Sequence, residues 1–295
     1  ICANHPQMTY YLFLALGFLF LSELVRAATG KTPWKHFLIS SGVLGLALIL
    51  GVGMNSQRLL ANSEYVKETI RGKQILKSEH NSRDDDGMKK QEILNWSYGK
   101  LETLNLFIPR LLGGSSTEEV SDDFKKELRA SLESQTDDEE QIQAVFDQVA
   151  NGVPMYWGDQ PGTSGPAYQG AIVVFLAILG FFFAWKKYRY WILGASILTI
   201  LLAWGSNFLP LSDLFIDYVP LYNKFRAPSS ILVVVELLFP LIAIIGLYRF
   251  YNDEKLTEEY KQKILLYVGG SVLGITLLII LFAKSLFGFE GAAET

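Results

Sequence analysis

Apolar residues in this chain gather in long runs near its two ends and in short, interrupted clusters between them. The runs lie at about Met8–Val25, Phe37–Met54, Gly170–Trp185, Trp191–Leu209, Ile231–Leu247 and Ile264–Phe282. A bilayer's hydrocarbon core takes a helix of roughly 17 to 25 apolar residues, so each run is at or near spanning length. A segment in lipid must satisfy its own backbone donors and acceptors, and the pattern therefore predicts about six transmembrane helices in an all-α polytopic membrane protein.

A polar excursion separates the second and third runs. Within it, Leu59–Ile70 has the mixed spacing of an amphipathic helix that Arg71-Gly72-Lys73 can end. His80–Lys90 is a charged, glycine-containing loop. Ile93–Leu112 is apolar enough to lie on a membrane interface and too interrupted to span one. Ser121–Ser134 and Asp137–Ala150 read as polar surface helices, the second opening with a capping box of Thr136 and Glu139. From Val153 to Pro166 glycine and proline recur too often for regular structure, which predicts an irregular loop before the third span. The chain thus divides into helices one and two (1–54), the excursion with interfacial helices (55–169), helices three to six (170–287) and a tail (288–295).

Composition alone does not decide the class: 50% of the residues are hydrophobic and the mean hydropathy is +0.23. The distribution of charge does. By direct count about 20 acidic and about 13 basic side chains fall between Asn55 and Tyr168, so the excursion is acidic and the remainder basic. Outside it, about ten of about thirteen basic residues sit on alternate connectors: Arg26, Lys31 and Lys35; Lys186, Lys187 and Arg189; Arg249, Lys255, Lys261 and Lys263. The positive-inside tendency puts those connectors in the cytoplasm. The excursion, the link Pro210–Ser230 and both ends are then extracytoplasmic, with Lys224, Arg226 and Lys284 as exceptions. Tyr10, Trp34, Trp185, Tyr188, Trp204 and Tyr248 fall where a headgroup belt is expected. Gly42, Gly45 and Gly53 in the second span, with Gly269, Gly270 and Gly274 in the sixth, would allow close helix packing.

Several function classes fall away. The single Cys2 excludes an internal disulfide, and His5, His36 and His80 are too scattered for a zinc site. There is no P-loop, dinucleotide fingerprint or Gly-x-Ser-x-Gly motif. The acidic excursion disfavours nucleic acid. No cofactor is indicated, and a divalent metal stays open. The chain opens on Ile1 with no charged n-region, so it reads as an internal piece of a longer polypeptide.

Candidate chemistry clusters on the expected outer face. His5 could carry a proton or meet a phosphate, or be structural, and Gln7 lies beside it. Tyr156, Trp157, Asp159 and Gln160 pair ring faces with hydrogen-bonding ends, as a sugar or acceptor surface would. Asp159 could equally cap its loop. In the link, Arg226 can grip a phosphate bidentately and Lys224 can add a point charge; headgroup anchoring is the competing reading. Glu236, inside the fifth span, is an intramembrane acid that either functions or bonds a neighbouring helix.

The strings Asn4-His-Pro-Gln-Met-Thr-Tyr-Tyr11, Asn95-Trp-Ser-Tyr-Gly-Lys100, Pro109-Arg-Leu-Leu-Gly-Gly-Ser-Ser116, Tyr156-Trp-Gly-Asp-Gln-Pro-Gly-Thr-Ser-Gly-Pro166 and Asp217-Tyr-Val-Pro-Leu-Tyr-Asn-Lys-Phe-Arg226 resemble the YfhO family of bacterial membrane proteins in its Bacteroidetes-type form. The resemblance covers nearly the whole chain. It implies a GT-C-type glycosyltransferase of the cytoplasmic membrane that moves a sugar from a polyprenyl-phosphate donor to a cell-envelope glycan or lipid acceptor on the extracytoplasmic side. Family members are longer, and their principal catalytic carboxylate lies upstream of the part corresponding to Ile1, so no residue here inherits that role. Lys224 and Arg226 as donor clamp, and Tyr156–Gln160 with His5 and Gln7 as sugar or acceptor surface, rest on residue chemistry alone. The rival classes are a transporter or flippase, in which Glu236 would hold a coupling ion, and a non-catalytic scaffold whose excursion binds an envelope partner.

Overall fold

The computed structural model describes residues 5–72, 87–118, 121–136, 138–150 and 155–287. Most of the loop expected at His80–Lys90, together with Cys2 and the tail 288–295, lies outside them. In chain order the helices are α1 (Pro6–Ala28), α2 (Trp34–Met54), α3 (Ser56–Lys67), α4 (Lys90–Ile93), α5 (Asp122–Glu133), α6 (Glu139–Ala150), α7 (Ala171–Phe183), α8 (Lys186–Ala203), α9 (Leu209–Tyr218), α10 (Val233–Asn252) and α11 (Glu258–Leu286). Short 3₁₀ turns occupy Leu101–Leu106, Gly205–Phe208, Tyr222–Lys224 and Pro228–Leu232. The described residues contain no strand; an isolated bridge joins Gly113 to Tyr156. The regular structure of the described residues is all-helical.

Four helices are long and apolar enough to cross a membrane: α1, α2, Pro228–Asn252 and Glu258–Ala283. The expectation of six changes at the other two runs. The third run yields only the 13 residues of α7, about 20 Å of helix, because Trp185 turns extended and starts α8. The fourth run bends by 113° between α8 and the helical stretch Gly205–Tyr218, a fifth span only if the pair is counted as one. Gly205 makes the bend. Its φ of +45° lies in the left-handed region, and a side chain there would meet the Ser97 hydroxyl and the Pro228 ring. Pro210, in the first turn of α9, needs no N–H at that position, and the Ser212 hydroxyl donates to the Gly205 carbonyl at 2.8 Å.

The chain forms two compact units, Ile1–Tyr98 with Ile172–Gly270 and Gly99–Ala171 with Ser271–Thr295. In the first, α1, α10 and the Pro228–Leu232 turn pack around α8. The buried side of α8 (Trp191, Ile192, Ala195, Ser196, Thr199, Leu202, Ala203) repeats at helical spacing, and its alanines and serine let neighbouring backbones approach. Helices α7 and α10 meet at a glycine pair. A Cβ on Gly180 would strike the Ile242 carbonyl, and one on Gly246 would strike the Gly180 backbone. The glycines expected to do this in α2 and α11 do not: a Cβ on Gly42, Gly45, Gly53, Gly269, Gly270 or Gly274 meets nothing within 4 Å. An apolar helix as uncovered as α2, where Ile49 is 70% exposed, suits a lipid surrounding.

In the second unit α5 and α6 pack together, with Arg129 bonded to Glu133 at 3.1 Å and Glu139 at 2.9 Å. Ser121 caps α5 by accepting from the Phe124 N–H at 3.3 Å. The capping box at α6 does not form, because Glu139 bonds Arg129 instead of reaching back. Asp138 caps in its place, accepting from the Glu140 and Gln141 N–H groups at 3.1 and 3.3 Å. The apolar side chains of Ile93–Leu112, expected on an interface, are largely spent inside protein. Ile93 and Leu94 pack with Met88 and Ile216 in the first unit. Leu104, Ile108 and Leu112 pack with Trp157, Ile279 and Phe287 in the second.

Candidate functional site

In the first unit the link between α9 and α10 is pinned from every side. The Gln7 amide nitrogen lies 2.8 Å from the Tyr11 hydroxyl, 2.6 Å from the Arg226 carbonyl and 2.8 Å from the Ser230 hydroxyl, and its two N–H groups are shared among these three acceptors. The Tyr10 hydroxyl donates to the Pro220 carbonyl at 3.0 Å. Arg71 and Lys224 bond reciprocally: Arg71 Nε donates to the Lys224 carbonyl at 3.0 Å, and Lys224 Nζ to the Arg71 carbonyl at 2.8 Å. The Met88 N–H reaches the Asn223 carbonyl at 3.1 Å. Burial raises the phenol of Tyr222 above its ordinary value, helped by Tyr11 and Tyr10.

This bonding holds an unusual backbone. Trp96, Leu221 and Ala227 are non-glycine residues with φ of +59°, +67° and +57°, each costing on the order of 1–2 kcal/mol. Between Leu221 and Ala227 stands Arg226, exposed, with its guanidinium 6.0 Å from the centre of the Trp96 ring. Of the two expected clamp residues, Lys224 is half-buried with its ammonium on a backbone carbonyl, and Arg226 faces outward. His5 is exposed at the N-cap of α1, where its carbonyl accepts from the Thr9 N–H at 3.2 Å. Gln7, expected on the acceptor surface beside it, instead spends its amide on Tyr11, the Arg226 carbonyl and Ser230.

In the second unit the glycine- and proline-rich loop runs beside residues 112–116. The Gly114 N–H donates to the Met155 carbonyl at 2.6 Å, the Trp157 N–H to Leu112 at 3.1 Å and the Ser116 N–H to Thr163 at 2.9 Å. Glu102, fully buried, organises the loop. One carboxylate oxygen accepts from the Tyr156 hydroxyl and, at 3.4 Å, from the Gln160 amide; the other accepts from the Gly99 N–H at 2.5 Å. Burial raises the Glu102 carboxyl above the usual carboxylate range; the three donors oppose that rise and the nearby Asp159 charge adds to it. Burial, and then the bond to Glu102, drive the Tyr156 phenol well above its ordinary value.

Tyr156 and Gln160 therefore turn their polar ends inward, whereas Asp159 is exposed and Trp157 half-buried beside it. Glu102 escaped sequence reading because Leu101-Glu-Thr-Leu-Asn-Leu106 looks like broken apolar chain. Its signal is that it is the only acid between Ile93 and Leu112.

Glu236 lies in the first turn of α10 and is exposed. Pro240, four residues on, has no N–H to offer the Glu236 carbonyl. Among the described residues, no three His, Cys, Asp or Glu side chains converge so as to hold a metal ion. Comparison with known proteins finds no matching family model, no similar curated protein and no similar solved structure.

Proposed function

We propose that this chain is part of a GT-C-type glycosyltransferase of the bacterial cytoplasmic membrane, akin to the YfhO-like proteins. In this reading it takes a sugar from a polyprenyl-phosphate carrier and passes it to an envelope acceptor outside the cytoplasm. The observation that carries the reading is Arg226: an outward guanidinium over an aromatic ring, on a link with two left-handed residues, Leu221 and Ala227, that a set of long-range hydrogen bonds holds in one shape. Such an arrangement suits a group whose charge grows during reaction. As the acceptor oxygen bonds the sugar's anomeric carbon, the bond to phosphate breaks, its electron pair stays on the phosphate oxygen, and a bidentate guanidinium stabilises that oxygen. The acceptor's proton goes to a carboxylate expected upstream of this sequence. Lys224 positions the link, His5 stands near α1's start, and Asp159 with Trp157 offers the acceptor surface.

A transporter would need Glu236 near the bilayer's middle. It sits four residues before Pro240, the midpoint of the span Pro228–Asn252, about 6 Å toward the link. The test uses membranes carrying the full-length protein and a photoactivatable polyprenyl phosphate. Crosslinks should fall in residues 217–230 and weaken by about tenfold or more in Arg226→Ala, with partial recovery in Arg226→Lys. Undiminished crosslinking in Arg226→Ala would remove the reading.

A further inference from the structure

The ends of α7, α8 and α10 in the first unit surround a cavity of about 640 Å³. Arg26, Lys186, Lys187, Arg189 and Arg249 line it with Trp185, and no acidic residue does. These cations come from all three of the basic connectors that the sequence sets apart, which the fold thus gathers at one place. Along α1, Arg26 stands 19 residues from Gln7, roughly 29 Å by helical rise, about the thickness of a bilayer's hydrocarbon core.

The charge at this cavity is only partly met by the chain. Glu23 takes Arg26 at 3.3 Å, and Asp253 takes Arg249 at 2.6 Å. Arg249 also donates to the Phe183 carbonyl at 2.9 Å. Among the described residues Lys186, Lys187 and Arg189 form no ion pair, and Arg189 Nε is buried with no hydrogen-bond partner. These three cations also occupy the first turn of α8, which has no acidic residue and no side-chain cap. Cations there oppose the positive end of the helix dipole, so the chain alone leaves an electrostatic cost that an anion would relieve.

We propose that this cavity binds a phosphate-bearing anion, with Lys186, Lys187 and Arg189 as its main contacts and the Trp185 ring as its wall. Two sources supply that chemistry: the headgroup of an anionic phospholipid and a soluble phosphate compound. Phe182 and Leu256 line the cavity beside the charges, and phosphate in either form meets the same three side chains. The inference does not depend on the sugar-transfer reading, since it concerns the other end of α1.

The experiment measures thermal unfolding of the full chain in nanodiscs of three compositions. These are phosphatidylcholine alone, phosphatidylcholine with one-fifth phosphatidylglycerol, and phosphatidylcholine with added inorganic pyrophosphate. A rise in midpoint with phosphatidylglycerol identifies the lipid source, and a rise with pyrophosphate the soluble one. In Lys186→Gln/Lys187→Gln, both at exposed positions, the effective anion concentration should rise about thirtyfold. Lys31→Gln/Lys35→Gln, which removes the same charge outside the cavity, should leave it unchanged. No shift with either anion in the unaltered protein, or equal shifts in both double variants, would overturn the proposal.

Discussion

The Tyr156 hydroxyl donates to the buried Glu102 carboxylate across 54 residues of sequence. That bond, with those from Gly99 and Gln160, makes one acid the anchor of the loop. Glu102→Ala strands three donors in the interior and should cost on the order of 3 kcal/mol of local stability. Glu102→Gln keeps the volume and one acceptor oxygen and should cost about 1 kcal/mol. Hydrogen exchange at the Gly114, Trp157 and Gln160 amides measures both. Equal protection in all three proteins would show that the carboxylate does not hold the loop.

The same residue sets a pH dependence. The folded state holds the Glu102 proton to a higher pH than the unfolded chain does. Its contribution to stability is therefore complete below the ordinary glutamate value and is lost as pH rises through the folded value. Opening free energies of those amides should fall as pH rises above the ordinary carboxylate range, and Glu102→Gln should flatten that fall. A rise with pH over the same interval would mean that the three hydrogen bonds outweigh burial.

Gly180 and Gly246 predict a contrast between spans. In Gly180→Ala the new methyl enters the Ile242 carbonyl, so α7 and α10 must separate, at a cost of about 1–3 kcal/mol. Gly274→Ala points into open space and should be neutral or stabilise α11 by up to about 1 kcal/mol. Denaturation in detergent micelles orders the two variants, and equal losses would contradict the packing.

Length and apolarity made α1, α2, α10 and α11 legible, because a chain in lipid has few alternatives to a helix of that size. The bend after α8 was not, since an apolar run from Trp191 to Leu209 does not state that Gly205 takes positive φ or that Ser97 fills the space beside it. Composition likewise marked glycines for close packing without telling which have a helix opposite them. At the candidate site the residue types were visible, but their satisfaction was not. Tyr156 and Gln160 look like a ligand surface until Glu102, more than fifty residues earlier, absorbs their polar ends. Lys224 looks like a free charge until the Arg71 carbonyl, 153 residues away, takes it. Such pairings depend on tertiary distance, which a local pattern does not carry.

The link's shape should depend on Gln7 more than on any residue within the link. Its amide holds the Arg226 carbonyl and the Ser230 hydroxyl at once, on either side of left-handed Ala227. Gln7→Leu keeps the bulk and removes the donors, which leaves Ala227 with less to offset its strain and should loosen the link by about 1–3 kcal/mol. Trypsin reads this directly, because it must unfold the backbone at Arg226 to cut there. Where cutting reports the opened population, that loss corresponds to cleavage faster by roughly ten- to a hundredfold. Lys224→Met, which removes the bond to the Arg71 carbonyl, should accelerate the same cut, whereas His5→Ala, at an exposed cap, should not. If Gln7→Leu left the rate unchanged, the left-handed residues would be held by the link's own sequence, and Arg226 would not depend on α1 for its position.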